Sequence, residues 1–402
     1  MRNGARRAWQ DSPAGLAVLG LEMLLVCFGA TVLVPLLTGI DVSVVLFSAG
    51  VATVFFHFLT GYRSANGSVP IFLGSSFAYL PAILGAKALG FPWPSIFFGL
   101  ACAGIGKIVF SRVIRIWGSD LVKKTLFPPV VVGSIIAVIG LNLVPVGINM
   151  ARGDSAALKG YGFAVAYREC GRLDPAGAES VKCQAVAAGY IAPETVDALS
   201  SEAAVSRCAA LILDDPGKVF ATQRYAWIFA VATLAVAVAV MTCFRGILRL
   251  LPVIVGVAFG YLLVLIFGRI DFEPLRAAPW LGFPDFTMPR VDWRAAVYVL
   301  PFVVAPVVEH FGDIMAVSGA VGKDFFASPG VDRTMLGDGI GTLFGGLIGS
   351  VPNTSYSEGV SALNILRISN PRIMLLAGIF AVLISFVQKV AGLLRTIPGC
   401  VL

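Results

Sequence analysis

The feature that most constrains this chain is the recurrence of apolar runs about as long as a helix that crosses ~30 Å of hydrocarbon. About eleven can be counted, near 14–37, 42–60, 70–89, 94–111, 126–147, 226–243, 251–267, 296–318, 333–349, a polar-interrupted one near 352–366, and 373–393. In lipid every backbone N–H and C=O must find a partner within the chain, so runs of this length and spacing predict helices. With 57% hydrophobic and 13% charged residues the sequence is far from a soluble domain, where about 25% are charged. The expected fold class is an all-α polytopic membrane protein. The first run follows "MRNGARRAWQ" and "LLVC" resembles a lipoprotein cleavage site, but Val26 precedes Cys27 and the run continues to Leu37. It therefore reads as a retained helix rather than a signal core.

Basic residues fall in alternate loops: Arg2, Arg6 and Arg7, then Arg63, then Arg112, Arg115, Lys123 and Lys124, then Arg245 and Arg249, then Lys323 and Arg333. This positive-inside pattern places the N-terminus in the cytoplasm of an inner (plasma) membrane and accounts for the net charge of +7. Arg269, Arg276, Arg290 and Arg294 depart from it, in an outward loop that also carries acidic residues. No loop offers the basic face with aromatic platforms that nucleic acid requires. From about Asn149 to Gln223 the chain turns polar and holds Cys170, Cys183 and Cys208. By the loop count this insertion lies outside, where a disulfide is chemically permitted but three cysteines leave one over.

Two apolar stretches are interrupted in a matched way. "FGATVLVP" is followed roughly forty-five residues later by "VPIFLGSSFAYLP", and "EHFGDIMAV" at a similar spacing by "GSVPNTSYSEG". In inverted-repeat transporters such interruptions mark broken helices whose free backbone groups face a midplane substrate. Two half-helices, each preceded by a short extended segment, are expected; Gly74, Ser75 and Ser76, and Asn353, Thr354 and Ser355, are their expected starts, since small hydroxyl residues cap helices and Pro352 suits a first turn.

Five acidic residues fall within the apolar runs: Glu22, Glu309, Asp313, Asp338 and Glu358. Each costs about 3 kcal/mol at the centre of a membrane helix, so they mark a cavity or a partner. Glu309 and Asp313 share one helix face. Asp338 is expected near the start of the next helix, where the N-terminal dipole would favour it. Glu358 follows the second interruption. His310 is read as structural and His57 as interfacial. Two carboxylates beside free backbone groups suit a flat neutral ligand with alternating N–H and C=O groups, and lean against an anion.

These motifs resemble the nucleobase/ascorbate transporter family, the uracil and xanthine permeases. They are "FGATVLVPLLTG", "LGSSFAYLPAI", "FPPVVVGSIIAVIGLNL", "VVEHFGDIMAV", "GDGIGTLFGG" and "SVPNTSYSEGVSALNILR", in order from about Leu16 to Pro398. The resemblance implies two inverted repeats of seven helices, with a core moving against a gate. It assigns residues 14–125 and 294–395 to the core (helices one to four and eight to eleven) and 126–270 to gate helices five to seven. "IPGCVL" stops where the twelfth helix is expected, so gate helices twelve to fourteen are absent from this sequence. By position the resemblance makes Glu309 and Glu358 substrate-binding, with Phe77, Ala30 and Ser357 lining the site and Asp313 and Asp338 in ion coupling. Glu22-Met23 stands where the family has Gln-His, and Gly359, Ser361 and Leu366 replace signature Asn, Gly and Thr, although Arg367 is kept.

The expected function is secondary active transport of a nucleobase, uracil or a related pyrimidine first and xanthine or uric acid second. Protons are the expected coupling ion, with sodium as the alternative, and no cofactor is expected. The expected partners are the bilayer, the base and a second copy in a homodimer. The competing readings are an anion transporter or channel of the same fold, a base-binding fragment that does not transport, and a membrane aspartyl protease. The last is disfavoured because "LGD" and "FGD" lack the preceding glycine of the Gly-x-Gly-Asp motif.

Overall fold

The computed structural model describes residues 11–118, 129–151, 216–244, 249, 251–267, 270, 272–356, 359–360, 362–363 and 370–401. Most of the insertion, its three cysteines, Ser357 and Glu358 lie outside the described residues. The elements are α1 (Pro13–Thr38), α2 (Val42–Gly61), β1 (Leu73–Ser75), a 3₁₀ turn (Phe77–Tyr79), α3 (Leu80–Ala88), α4 (Trp93–Trp117), α5 (Pro129–Ala151), α6 (Pro216–Cys243) and α7 (Pro252–Ile266). They continue with α8 (Glu273–Ala277), α9 (Trp293–Val299), a second 3₁₀ turn (Leu300–Val303), α10 (Val304–Val321), α11 (Val331–Ile348), β2 (Asn353–Ser355), α12 (Arg372–Ser385) and α13 (Gln388–Arg395). Among the described residues, five helical stretches are long and apolar enough to cross a membrane, and α12 with α13 makes a sixth if the bent pair is one span.

Local chemistry sets the boundaries. Ser12 caps α1 by accepting from the Gly15 amide at 3.1 Å, and Pro13 fits the first turn, which needs no amide donor. Asp41 caps α2 through the amides of Ser43 and Val44 at 2.6 and 3.3 Å. Gly349 closes α11 at φ +83°, and a side chain there would also strike the Thr287 backbone; only glycine meets both demands. The run near 373–393, expected as one helix, instead bends by 83° between α12 and α13. In the bent form Gln388 Nε2 donates to the carbonyl of Phe283 at 3.2 Å and Lys389 Nζ to that of Leu275 at 2.7 Å.

The chain divides into two compact units. One comprises Met1–Asn142, Ala239–Ile254 and Asp271–Thr396; the other comprises Leu143–Val238, Val255–Ile270 and Ile397–Leu402. In the first, α11 packs along α4 and α2, and α12 along α2 and α1. Close approach of α4 and α11 depends on glycine: a side chain at Gly104 would run into the Leu343 backbone, and one at Gly346 into that of Ala101. Small residues let membrane helices gain contact that apolar burial alone does not supply. In the second unit Phe229, Val264 and Val401 form a small core, and Gly260 packs against Thr233 and Val401.

Candidate functional site

The two interrupted segments meet. β1 and β2 pair antiparallel, with Leu73 opposite Ser355, Gly74 opposite Thr354 and Ser75 opposite Asn353. The ladder extends at both ends, from the Ser76 amide to the Pro352 carbonyl at 2.9 Å and from the Tyr356 amide to the Phe72 carbonyl at 3.1 Å. Each segment opens with Val-Pro, Val69-Pro70 and Val351-Pro352, and proline biases the residue before it toward extended backbone. Gly74 is required by its partner, because a side chain there would occupy the Tyr356 ring.

Three-residue strands are too short to hold themselves together, and surrounding helices clamp them. Ser75 Oγ donates to the Thr31 carbonyl of α1 at 2.6 Å, and the Tyr356 hydroxyl to the Ser75 carbonyl at 2.9 Å. Thr53 of α2 accepts from the Leu73 amide at 2.9 Å and donates to its carbonyl at 3.2 Å. Asn353 Nδ2 donates to Ser48 Oγ at 2.7 Å and to the Gly341 carbonyl at 3.0 Å, while Thr342 Oγ1 donates to the Asn353 carbonyl at 2.7 Å. Of the side chains expected to cap half-helices, those of Ser75, Asn353 and Ser355 are therefore spent on neighbouring helices. Gly74 and Ser75, and Asn353, Thr354 and Ser355, form the strands. The first helical turn begins at Phe77, where Ser76 occupies the capping position without a side-chain cap bond. Pro352 lies in the extended lead-in instead of a helical first turn.

Beyond this clamp, the hydroxyls of Ser76, Tyr79 and Thr354 are buried and find no hydrogen-bond partner among the described residues. Buried polar groups are rarely left so without reason. Phe77 and Ala30 are half-buried, and so is Glu309 on α10, which packs against β2 and the Phe77–Tyr79 turn. Gly359, one residue past the undescribed Glu358, faces Met23 and Cys27 of α1 and Met374 of α12. Glu22 is buried in α1, with Oε1 lacking a hydrogen-bond partner among the described residues.

Behind the strands lies a buried charge network that the sequence reading reached only in part. Asp338 is not at a helix start: it lies two turns into α11, where the terminal dipole is spent, and is fully buried. Its partner is Lys107 of α4, whose Nζ donates to Asp338 Oδ2 at 3.0 Å and to Thr342 Oγ1 at 3.2 Å and stands 5.6 Å from the Tyr79 ring centre. Lys107 was missed although the signal was there, since a lysine inside "AGIGKIVF" is as costly as any of the acidic residues. His310, buried as a structural reading allows, does more than pack. Its Nδ1 lies 3.1 Å from Ser355 Oγ and 3.5 Å from Asp338 Oδ2, and its Nε2 lies 2.9 Å from Thr334 Oγ1. Ser355 Oγ donates in turn to Asp313 Oδ2 at 2.6 Å. Asp313 and Asp338 are thus joined through a serine and a histidine. A serine, a histidine and an aspartate occur together here, but the hydroxyl bridges the other two and is wholly buried, unlike a nucleophile activated by one base. His57 is buried; its ring nitrogens bond Ser68 Oγ at 2.7 Å and the Ile71 carbonyl at 3.1 Å, tying α2 to the lead-in of β1.

A family profile described as "Permease family" matches residues 14–168 and 201–402. The chain belongs to the nucleobase/ascorbate transporter family. It is 35% identical over 385 residues to the "Probable uracil permease" of Haemophilus influenzae, an alignment covering 96% of this chain and 76% of that one. Identity is 31% over 386 residues with the "Uracil permease" of Bacillus caldolyticus, covering 94% and 73% of the two chains. It is 30% over 387 residues with that of Escherichia coli, covering 94% and 72%. Among solved structures, the transmembrane domain of a cyanobacterial bicarbonate transporter, BicA, superposes with a TM-score of 0.63 at 14% identity, covering 96% of this chain and 86% of that one. At that identity the likeness concerns the fold alone. The family is one of permeases, not enzymes.

Proposed function

We propose that this family member is a secondary active symporter for a nucleobase, uracil or a related pyrimidine first and xanthine or uric acid second, with protons as the coupling ion. The observation that carries the reading is the crossing of β1 and β2 beside Glu309, where Ser76, Tyr79 and Thr354 hold buried hydroxyls without partners among the described residues. A planar base with ring N–H and C=O groups supplies what such groups lack, its N–H donating to carboxylates and its carbonyls accepting from hydroxyls and amides. An analogue short of one group would leave a buried partner unpaired and be rejected. Glu309 and Glu358 are proposed as the carboxylates, with Phe77 and Ala30 against the ring and Ser357 as a backbone contact. Asp313 and Asp338 serve coupling. The core rocks against the gate in an inner (plasma) membrane with the N-terminus cytoplasmic. That the relatives are uracil permeases favours uracil over the bicarbonate of the structural neighbour, and acidic side chains at the crossing disfavour an anion.

The test is thermal stabilisation of the purified chain by uracil, thymine, xanthine, uric acid, hypoxanthine and ascorbate, with Glu309→Ala and Glu358→Ala in parallel. A ligand at a hundred times its Kd stabilises by about 2.7 kcal/mol, a readily measured shift. One base should raise the melting temperature of the parent and of neither variant. A shift retained in both variants, or none from a folded parent, refutes the assignment.

A further inference from the structure

Ser355 Oγ lies within hydrogen-bond distance of two titratable groups, 2.6 Å from Asp313 Oδ2 and 3.1 Å from His310 Nδ1, yet a hydroxyl has one proton to give. Both contacts are hydrogen bonds only if one of the two outer groups carries a proton. Thr334 Oγ1 donates to the Val331 carbonyl at 3.1 Å, so it accepts from His310 Nε2, and that nitrogen is protonated throughout. The variable proton is therefore on His310 Nδ1 or on the Asp313 carboxyl. In the first arrangement Nδ1–H donates to Ser355 and Ser355 donates to an Asp313 carboxylate. In the second the Asp313 carboxyl donates to Ser355 and Ser355 donates to a bare Nδ1. Passing from the second to the first, Asp313 gives its proton to Oγ while Oγ releases its own to Nδ1. Two O–H bonds break, one O–H and one N–H form, and no proton is gained or lost.

We propose that Asp313, Ser355 and His310 constitute a single proton-binding site, and that the coupling proton of the symport reading is held between the first and the last of them. This deepens that reading and rests on it. The surroundings fit one shared proton. Among the described residues, the charged and titratable groups around the site include Lys107 of α4 and Asp338 of α11, with Tyr79 of the first 3₁₀ turn and Glu309 of α10 beside them. Lys107 balances Asp338, and Asp338 Oδ2 also lies 3.5 Å from Nδ1, on hand to balance an imidazolium. With one proton aboard, Lys107, Asp338, His310 and Asp313 sum to zero charge in either arrangement, so the shift changes no buried net charge. With the proton gone the set carries one negative charge, and Ser355 satisfies only one neighbour. Ser355 is also the last residue of β2, paired with Leu73 of β1. Loading the site therefore ties the strand crossing to α10 by two bonds, and unloading it releases one of them.

The chain has two histidines, His57 and His310, so nitrogen NMR of the full chain with isotope-labelled histidine reads the ring directly, with His310→Gln assigning the signal. In the parent, His310 should keep its Nε2 proton at every pH and change state at Nδ1 on titration. Asp313→Asn, which can donate to Ser355 but not give up its proton, should fix His310 in the bare-Nδ1 form. Ser355→Ala should uncouple the ring from residue 313 and shift its midpoint by about one pH unit or more. Ser355→Thr, which keeps the hydroxyl, should restore it. In proteoliposomes Ser355→Ala should retain exchange of labelled base and lose about tenfold or more of gradient-driven accumulation, with Ser355→Thr again restoring it. A parent His310 whose Nδ1 never changes state overturns the proposal, as does a folded Ser355→Ala protein that matches the parent in both titration and accumulation. If no base is bound or moved while the histidine titration behaves as stated, the symport reading fails and the shared proton site stands.

Discussion

Lys107 shows how one residue sets the electrostatics of the whole site. Its ammonium and the Asp338 carboxylate are both fully buried, where taking two ions out of water costs several kcal/mol apiece and only close pairing offsets it. Removing one partner leaves the other charge stranded. Lys107→Met should destabilise the protein by about 3–5 kcal/mol, and adding Asp338→Leu should recover most of that loss. Thermal unfolding in detergent measures both. A double variant no more stable than the single would mean that Lys107 acts through contacts other than the pair. The sequence made Asp338 conspicuous as an acidic residue in an apolar run, but the choice of partner is a tertiary fact. Lys107 and Asp338 are separated by 231 positions, and nothing local links them. Glu309 and Asp313 were legible as a same-face pair because helix periodicity is local; the hand-off from Asp313 through Ser355 to His310 was not.

At the level of elements, the short extended segments ahead of the two half-helices were readable, and their pairing as strands was not. Val-Pro followed by small residues announces broken helices, yet which hydroxyls cap and which bond to α1, α2 or α11 depends on what packs nearby. Ser75 and Ser355 turn to Thr31 and Asp313, so neither caps a half-helix. Asp292 is a cap of the ordinary kind: Oδ1 accepts from the amides of Arg294 at 3.0 Å and Ala295 at 3.4 Å, fixing the start of α9 and so the span that carries Glu309. Desolvation pushes its carboxyl up, but the Ser95 hydroxyl, the two amides and the Arg294 charge together hold it below the usual carboxylate range. A depressed carboxyl stabilises the fold above its unfolded value of about 3.9, and the contribution is lost as the pH falls through the lower folded value. The melting-temperature gap between the parent and Asp292→Ala should therefore be constant from neutral pH to about pH 5 and close only in stronger acid. A gap that widens on acidification would contradict the assignment.

For the molecule as a whole, contacts at the ends of the first unit gather the basic loops after α2 and α10 together, as the proposed orientation requires. Lys323 Nζ donates to the Asn66 carbonyl at 2.9 Å, Asn66 Nδ2 to that of Asp324 at 2.9 Å, and Arg333 to that of Tyr62 at 2.9 Å. These bonds bring the loops after α2 and after α10 to one end, together with Arg63. At the other end the Arg290 amide donates to the Pro94 carbonyl at 3.0 Å and that of Thr287 to Ile348 at 3.2 Å. In a cysteine-free background, Ala65→Cys should react with an impermeant thiol reagent only from the cytoplasmic side, and Met288→Cys only from the opposite side. The reverse labelling would invert the orientation. By itself the sequence determined that the chain crosses a membrane many times, where most helices lie, which end of each loop pair is basic and which apolar runs hold costly carboxylates, because hydropathy, caps and charge act over a turn or two. Tertiary structure alone decided that the two interrupted segments pair as strands, that Asp338 is neutralised by Lys107 and that Ser355 bridges Asp313 to His310. Those contacts join residues distant along the chain, and they form only where glycine-lined helices approach closely enough to exclude water.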